Sequence, residues 1–153
     1  MQIRAIEKKN LSEINRLYEL QQEAYKVEAD RIGVRVDLFY PLKETLDELQ
    51  NSTDEIFVSL ADGLITGAIS LEKLEGSLLI SKLVVDPKFF RRGIAKALVG
   101  HCFKLYPKEE FQVGTGATNS PAINLYQSFR FEIFKEIIVE PDLRVVKLRR
   151  PLT

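Results

Sequence analysis

The sequence predicts an α/β protein with a mixed, largely antiparallel central sheet. Two observations support this prediction. Apolar residues recur at helical spacings of three and four in some segments and at alternate positions in others. These segments follow one another as strand, two helices, three strands, helix, strand, helix and two strands. Short turns between strands favour antiparallel pairing, whereas a helix between two strands favours a parallel pair, so we expect both kinds.

Composition narrows the class of protein. The 153 residues are about the size of one domain, so we expect a single domain over residues 1–153. Lys and Arg together number 22, as do Asp and Glu, and no overall charge favours nucleic acid or an anionic membrane. Cys102 is the only cysteine, which suits a reducing cytosol and a position in the core. The first residues lack the apolar centre of a signal peptide, so we expect a cytoplasmic location.

The first third of the chain predicts one strand and two helices. Residues 2–6 alternate and form the strand. Asn10, followed three residues later by Glu13, has the pattern of a helix cap with a capping-box partner. The helix behind it is expected to end at about Ala29. Three leucines at spacings of four and three predict a second, shorter helix: Leu42, Leu46 and Leu49.

The middle of the chain predicts three antiparallel strands. Asp62-Gly63 separates two alternating apolar runs, which is a strong hairpin signal, and a second turn follows at Glu75-Gly76. Gly67 is expected to mark a bulge. The third strand is almost continuously apolar from Leu78 to Val85, as in a central strand that is covered on both faces.

The last third of the chain predicts a strand, a helix and a closing hairpin. Residues 110–114 form the strand. The helix after it is capped by Asn119 or Ser120, with Pro121 at its first helical position. Two alternating segments follow this helix, and the turn between them is predicted at Pro141-Asp142.

The segment DPKFFRRGIAKALV, residues 86–99, loses its large side chains where a helix begins. Helical spacing runs from here to Leu105, and Gly93 and Ala95 leave the backbone bare at its start, behind two arginines. The first amides of a helix have no partner within the helix, so this arrangement is suited to bind phosphate. A solvated first turn with a packing glycine is the alternative interpretation.

Two segments resemble the GNAT acetyltransferase superfamily. Residues 82–99, KLVVDPKFFRRGIAKALV, look like the cofactor-binding segment of that superfamily. Residues 119–131, NSPAINLYQSFRF, are similar to its later segment, Asn-x-x-Ala-x-x-Leu-Tyr-x-x-x-Gly-Phe. The two segments have the order and about the separation found in that family, and the order of elements agrees along nearly the whole chain.

The resemblance implies a sheet with helices on both faces and a V-shaped gap that receives acetyl-coenzyme A. The gap would lie between the strand ending at Val85 and the strand ending near Gly114. The strand edge would pair with the pantetheine arm, and the helix start would bind the pyrophosphate. No metal is expected. The implied cofactor-binding residues are Leu83, Val84, Val85, Arg91, Arg92, Gly93, Ile94, Ala95, Lys96 and Asn119.

Tyr126 is the catalytic residue that the resemblance implies. The family's tyrosine at this position lies close to the cofactor sulfur, and a protonated tyrosine can donate to the departing thiolate. On the residue pattern alone, Tyr126 is a core residue of its helix, and Asn119 is either a helix cap or a contact to the cofactor arm. Phe90 stands where the family usually has Gln or Arg. Arg130 stands where it prefers glycine, at a helix end that favours left-handed backbone.

The implied activity is acyl-CoA-dependent N-acyltransfer, most simply acetyl transfer to a primary amine by direct attack in a ternary complex. The alternative is a noncatalytic acyl-CoA-binding module with the same fold. The expected partner is a small-molecule or peptide amine acceptor, without nucleic acid or membrane, and we leave a homodimer open.

The acceptor site and the general base are less defined. The segment between Ser77 and Val85 contains no glutamate, Glu72 and Glu75 being nearest, so the base is left unassigned. Between the first two helices, aromatic residues could line a pocket and acidic residues could attract a cation; core packing and solvated charge are the alternative. These candidates are Tyr25, Phe39 and Tyr40, and Glu28, Asp30 and Asp37.

Overall fold

A computed structural model of the protein describes residues 1–139 and 143–152. Within these residues, a sheet of seven strands carries helices on both faces. The elements in chain order are β1 (Gln2–Ala5), α1 (Leu11–Ile32), α2 (Leu46–Gln50), β2 (Glu55–Ala61), β3 (Leu64–Leu74), β4 (Ser77–Val85), α3 (Ile94–Leu105), β5 (Glu110–Gly116), α4 (Ser120–Ser128), β6 (Glu132–Val139) and β7 (Leu143–Arg150). Short 3-10 turns lie at Val36–Leu38, Tyr40–Lys43 and Pro87–Phe89.

The sheet has the order β1-β2-β3-β4-β5-β7-β6. Among the described strands β4 and β5 form a parallel pair, and the other neighbours are antiparallel. This confirms the predicted order of elements and the mixed, largely antiparallel sheet. β7 lies between β5 and β6. It pairs with β5 on one side and with β6, its neighbour in the chain, on the other. The predicted turn at Pro141-Asp142 lies outside the described residues.

Two hydrophobic cores lie on opposite faces of the sheet. On one face, α1 and α2 pack on β2, β3 and β4, with Ile14, Leu17 and Val58 fully or almost fully buried. On the other face, α3 and α4 pack on the middle of the sheet around Leu98 and Phe111. The charged residues that line one side of α1 therefore belong to a different layer from α4. Among the described residues, no helix has the length and apolar character needed to cross a membrane.

The first two helices differ from prediction at their ends. α1 continues to Ile32 and not to about Ala29, because the chain turns only at Gly33, which has the left-handed φ of 77°. Asn10 caps α1 as predicted, but the Glu13 carboxylate accepts from the Asn10 side chain and Arg4 and does not complete a capping box.

Leu42 lies outside α2, contrary to the predicted leucine spacing, because Thr45 and Glu48 form a capping box that starts the helix later. Asn119 caps α4, and Pro121 is its second helical residue, not its first. The predicted bulge lies one residue earlier than Gly67, at Thr66, since Ser59 pairs with Gly67 and Leu60 with Ile65.

Gly67 is required by close packing. A Cβ at this position would lie 3.0 Å from Ile94 Cγ2 and 3.0 Å from the Val84 carbonyl oxygen. Any side chain here would therefore push the first residue of α3 and the end of β4 away from β3. The missing side chain lets both lie close to β3.

Arg130 ends α4 in the left-handed conformation, with φ 68°. Its amide donates to the Gln127 carbonyl at 2.9 Å, and the Phe131 amide donates to the Tyr126 carbonyl at 3.1 Å. These are the two bonds of a Schellman motif. The departure from glycine therefore leaves the turn intact, but the Cβ of an L-residue costs about 1 kcal/mol or more in this conformation.

An ion pair ties α1 to the loop that precedes α3. Arg16 Nη2 lies 2.7 Å from Asp86 Oδ2, and the same guanidinium donates to the Ile65 carbonyl at 2.8 Å. Asp86 Oδ1 accepts the Lys88 amide at 2.9 Å and so caps the turn that leads into α3. Burial by itself would raise the pKa of Asp86, but the bonds from Arg16 and Lys88 hold this pKa below its ordinary value.

The variant Arg130→Gly should stabilise the protein. Glycine adopts positive φ without a Cβ clash, so we expect the free energy of unfolding to rise by about 1 kcal/mol in a urea titration. Arg130→Ala is the matched control: it removes the long side chain but keeps the Cβ, and should show no such gain. An equal gain in both variants would mean that the side chain, and not the backbone, is the source of strain.

The variant Asp86→Asn should destabilise the protein by about 2 kcal/mol at neutral pH, because it removes a charge-assisted pair on a buried carboxylate. A carboxyl group whose folded pKa is lowered contributes stability above its unfolded pKa of about 3.9, and loses it as pH falls through the folded pKa. The difference between wild type and variant should therefore shrink in thermal unfolding below about pH 4. Asp37→Asn, whose partner Arg35 is on the surface, should change stability little at any pH. A pH-independent difference would contradict the assigned role of the charge.

Candidate active site

The gap in the sheet begins where β4 and β5 stop pairing. Their parallel register runs from Ser77 opposite Glu110 to Ile80 opposite Val113 and no further. β4 carries an extra residue at this point, Ser81, which has no counterpart on β3. Such a bulge bends a strand and increases its twist. Beyond it, residues 82–85 of β4 pair only with β3 and residues 114–116 of β5 only with β7, leaving a V-shaped gap that we call the fork.

The fork opens into a cleft of about 670 Å³. Its walls come from α1, the end of β4, the start of α3, β5 and α4. The predicted V-shaped gap is thus confirmed, although β5 extends past Gly114 to Gly116. The cleft contains Tyr126 and all predicted cofactor-binding residues except one: Leu83, Val84, Val85, Arg91, Gly93, Ile94, Ala95, Lys96 and Asn119.

Arg92 is the predicted cofactor residue that lies outside the cleft. Its guanidinium stacks over the Phe89 ring, with 4.9 Å between the charged carbon and the ring centroid. It lines a separate depression beside β1 and β2. Phe90, in contrast, lines the cleft, with 38% of its surface exposed.

The start of α3 offers unsatisfied backbone amides to the cleft. Asn10, Thr45 and Asn119 cap the other three described helices with their side chains, whereas the cap position of α3 is Gly93, with no side-chain bond. Gly93 has φ 76°, and nothing lies within 4 Å of the place where its Cβ would be. The first amides of α3 therefore have neither a helical acceptor nor a cap, and they carry the positive end of the helix dipole.

The edge of β4 along the fork is the second backbone feature. Leu83 and Val84 face Ile69 and Ala68 of β3, and their other edge has no strand beside it. A strand edge of this kind presents amides and carbonyls that can pair with an extended group. The fork therefore exposes two sets of backbone donors, along β4 and at the start of α3.

Two tyrosines from opposite faces of the sheet approach each other through the fork. Tyr126 belongs to the core under α4 and Tyr25 to the core under α1, and each is less than a tenth exposed. Neither hydroxyl has a hydrogen-bond partner among the described residues, yet neither is sealed from solvent, so both open into the cleft. Burial, followed by the charge of Glu28, raises the pKa of both phenols well above the ordinary value. Both therefore stay protonated at neutral pH.

Glu28 lines the cleft from α1 and bonds to polar residues near the end of β5. We call Glu28, Arg31, Thr115 and Asn119 the polar wall of the cleft. Its Oε1 accepts the Asn119 side-chain amide at 3.2 Å, and that amide also contacts Thr115 Oγ1 at 3.3 Å. Asn119 is 2% exposed, and its Oδ1 accepts the Ala122 amide as the cap of α4. Burial raises the pKa of Glu28, and the nearby charge of Arg31 opposes this. Asn119 thus fixes Glu28 while it caps the helix that carries Tyr126.

Lys82 enters the cleft already paired. Its ammonium contacts both carboxylate oxygens of Glu44, at 2.6 Å for Oε2, and Gln21 donates to the same carboxylate at 2.6 Å. The Gln21 amide oxygen is fully buried and has no donor among the described residues. This cluster links β4 to the segment before α2, and the Glu44 carboxylate neutralises the charge of Lys82.

The residues singled out in advance for the acceptor side are only partly brought together. Tyr25 and Glu28 line the cleft; Phe39 is buried behind Tyr25, with 6.1 Å between ring centroids, and Tyr40 is 81% exposed. The other acidic candidates do not line the cleft: Glu72, Glu75, Asp30 and Asp37.

Sequence reasoning missed Arg31, Lys82 and the bonding role of Glu28. The signal was the spacing of three that places Tyr25, Glu28 and Arg31 along one side of α1. The side of α1 that faces the fork, and not only its apolar face, is where the site residues lie. Cys102 and His101 are remote from this wall: Cys102 is fully buried, with its pKa raised by burial to about 12, and His101 packs against Phe57.

The sequence of the chain is similar to a known protein family and to a curated bacterial protein. Residues 14–131 match the family model described as Acetyltransferase (GNAT) family. The UPF0157 protein YqkA from Bacillus subtilis (strain 168) is 33% identical over 114 residues, which are 74% of this chain and 33% of that protein. The chain thus spans about a third of the length of this relative.

Solved structures share the fold. The ribosomal-protein-S18-alanine N-acetyltransferase from Escherichia coli superposes with a TM-score of 0.76 at 16% identity, covering 97% of this chain and 91% of that one. The PaiA N-acetyltransferase from Thermoplasma acidophilum, in complex with coenzyme A, superposes with a TM-score of 0.68 at 17% identity, covering 96% and 98%. The family match covers residues 14–131, which is more than half of the chain and includes the fork. The chain therefore belongs to the GNAT family of acetyltransferases.

Proposed function

We propose that the protein is an acyl-CoA-dependent N-acetyltransferase that transfers acetyl from acetyl-coenzyme A to a primary amine by direct attack in a ternary complex. One observation carries the proposal: the fork joins an uncapped helix start, a free strand edge, a buried tyrosine and a half-buried glutamate in one cleft. Family membership and the coenzyme A complex of a structural relative support it.

The chain offers a fitting set of donors for acetyl-coenzyme A, which when bound supplies an activated acetyl thioester. The amides of Gly93 to Lys96 bind the pyrophosphate, because no cap competes for them and Arg91 adds positive charge beside them. Leu83 to Val85 pair with the pantetheine amides along the β4 edge. The Arg92 side chain contributes to the field from outside the cleft.

Tyr126 acts as the general acid. Its raised pKa keeps the hydroxyl protonated at neutral pH, and the hydroxyl opens into the cleft without a hydrogen-bond partner in the described part of the chain. As the C–S bond of the thioester breaks, the departing thiolate takes the phenolic proton. Tyr25, which is protonated for the same reasons, lies on the opposite wall and is available to orient the acceptor.

Glu28 is the general base that the sequence left unassigned. A primary amine with pKa about 10.4 is almost fully protonated at pH 7, and removing its proton costs about 4–5 kcal/mol. A carboxylate whose pKa is raised by burial is a stronger base than an exposed one. Glu28 accepts the amine proton, directly or through one water, as the new C–N bond forms, and Asn119 holds it in place.

The proposed activity predicts release of free thiol from acetyl-coenzyme A in the presence of an amine acceptor. Tyr126→Phe should lower kcat about 100-fold, because the thiolate loses its proton donor, while coenzyme A binding stays within about twofold. Glu28→Gln should lower kcat by a similar factor. The measurement is thiol release across a panel of amines, with calorimetry for binding. Tyr40→Phe is the matched control, since Tyr40 is 81% exposed and outside the cleft.

The outcomes separate the two candidate functions. Binding of acetyl-coenzyme A without turnover on any amine would favour a noncatalytic acyl-CoA-binding module with the same fold. No binding at all would overturn both. Full activity of Tyr126→Phe would leave the enzyme standing but remove Tyr126 as its acid.

The variant Phe90→Arg should tighten coenzyme A binding. Phe90 lines the cleft just before the α3 start, so a guanidinium there adds a charge-assisted contact to phosphate, and we expect about a fivefold lower Kd. The gain should fade at high salt. Leu105→Arg, at the far end of α3, adds the same charge away from the cleft and should leave Kd unchanged. Equal affinity of Phe90→Arg and wild type would mean that the phosphate site does not extend to residue 90.

A further inference from the structure

We call the part of the cleft lined by α1 and Pro41 its acceptor wall, and within the described part of the chain this wall carries one cation without a partner. Arg31 lines the cleft, is exposed, and forms no salt bridge or side-chain hydrogen bond with a described residue. The neighbouring Lys82 differs, because Glu44 neutralises it at 2.6 Å. Arg35, four residues later in the chain, is also paired, with 2.8 Å between its Nη2 and Asp37 Oδ2. Within residues 1–139 and 143–152, the positive charge that is available on the acceptor wall is therefore that of Arg31.

Arg31 lies three residues after Glu28 on α1. Side chains at this spacing are neighbours on a helix, with about 5–6 Å between their Cβ atoms. The two are close enough for the guanidinium to oppose the rise in the pKa of Glu28. A small acceptor can therefore place its amine at Glu28 and still extend an anionic group to the guanidinium at the rim.

We propose that the acceptor is a primary amine that also carries a carboxylate, and that Arg31 binds this carboxylate while the amine faces Glu28. The proposal rests on the proposed N-acetyltransferase function and adds the substrate class to it. Arginine binds carboxylates through two parallel N–H donors, which gives geometric selectivity as well as charge.

The charges of the wall argue against a polycationic acceptor. Such a ligand needs several free carboxylates, whereas Glu44 is already used by Lys82 and Gln21 and Glu28 is bonded to Asn119. Val27 and Pro41, which line the same wall, favour an apolar side chain on the acceptor. An amino acid with an apolar side chain combines these features.

The test compares three amines that share one ring: L-phenylalanine, L-phenylalaninamide and 2-phenylethylamine. The wild type should show a higher kcat/KM with L-phenylalanine than with either analogue that lacks the carboxylate. Arg31→Gln should lower the L-phenylalanine value about 30-fold and change the other two by less than threefold. Arg31→Lys should recover part of the loss. Arg35→Gln, which removes a paired arginine outside the cleft, is the matched control and should alter none of the three values.

A second readout does not need turnover. N-acetyl-L-phenylalanine and N-acetyl-2-phenylethylamine are titrated into the protein with coenzyme A present, and the former should bind more tightly only when Arg31 is intact. If no amine is turned over but this preference is found, the carboxylate site stands and the proposed function fails. If the two amines without a carboxylate are turned over as well as L-phenylalanine, or if Arg31→Gln lowers all three values equally, the carboxylate site is overturned and the function stands. If Arg31 only stabilises α1 by its charge at the end of the helix dipole, Arg31→Gln should lower the melting temperature without changing the ratios of kcat/KM between the three amines.

Discussion

The interruption of the parallel pairing between β4 and β5 is the constraint on which the rest of the site depends. A continuous sheet would satisfy the backbone of both strands and separate the two cores completely. The bulge at Ser81 prevents this by turning β4 away after four paired residues. The Ser81 hydroxyl lies 2.6 Å from an Asp54 carboxylate oxygen and 3.2 Å from the Ser70 carbonyl, which holds the distorted strand in place. One extra residue thus creates both a free strand edge and a passage between the faces of the sheet.

The passage explains why residues from two separate cores meet. Tyr25 and Glu28 come from the layer of α1, and Tyr126 and Asn119 from the layer of α4, so neither core alone contains the site. Asn119 links the layers, since it caps α4 and donates to Glu28 across the fork. The stability of the helix start and the orientation of the carboxylate therefore depend on the same side chain.

The start of α3 is stabilised differently from the starts of the other described α-helices. Elsewhere a side-chain cap satisfies the first amides, whereas at α3 the stabilising contacts lie before the helix, in the Arg16–Asp86 pair, and beneath it, at Gly67. This arrangement keeps the loop in position without occupying the amides. Arg91 and Gly93, both with positive φ, make the backbone turn that presents them to the cleft.

The sequence by itself determined the order of the elements and predicted which residues line one side of the cleft. Alternation, helical spacing and turn residues identified each strand and helix because these signals are local, and the segments at 82–99 and 119–131 predicted the start of α3 and Tyr126 as residues of the cleft. Only the tertiary structure showed which residues form the polar wall of the cleft. Glu28 and Arg31 belong to a charged side of α1 whose spacing is equally compatible with solvent, and Arg92 cannot be told from Arg91 by sequence. Their positions in the cleft depend on which face of α1 lies over the fork and on the bulge in β4, and both are consequences of contacts between distant segments, which no local pattern records.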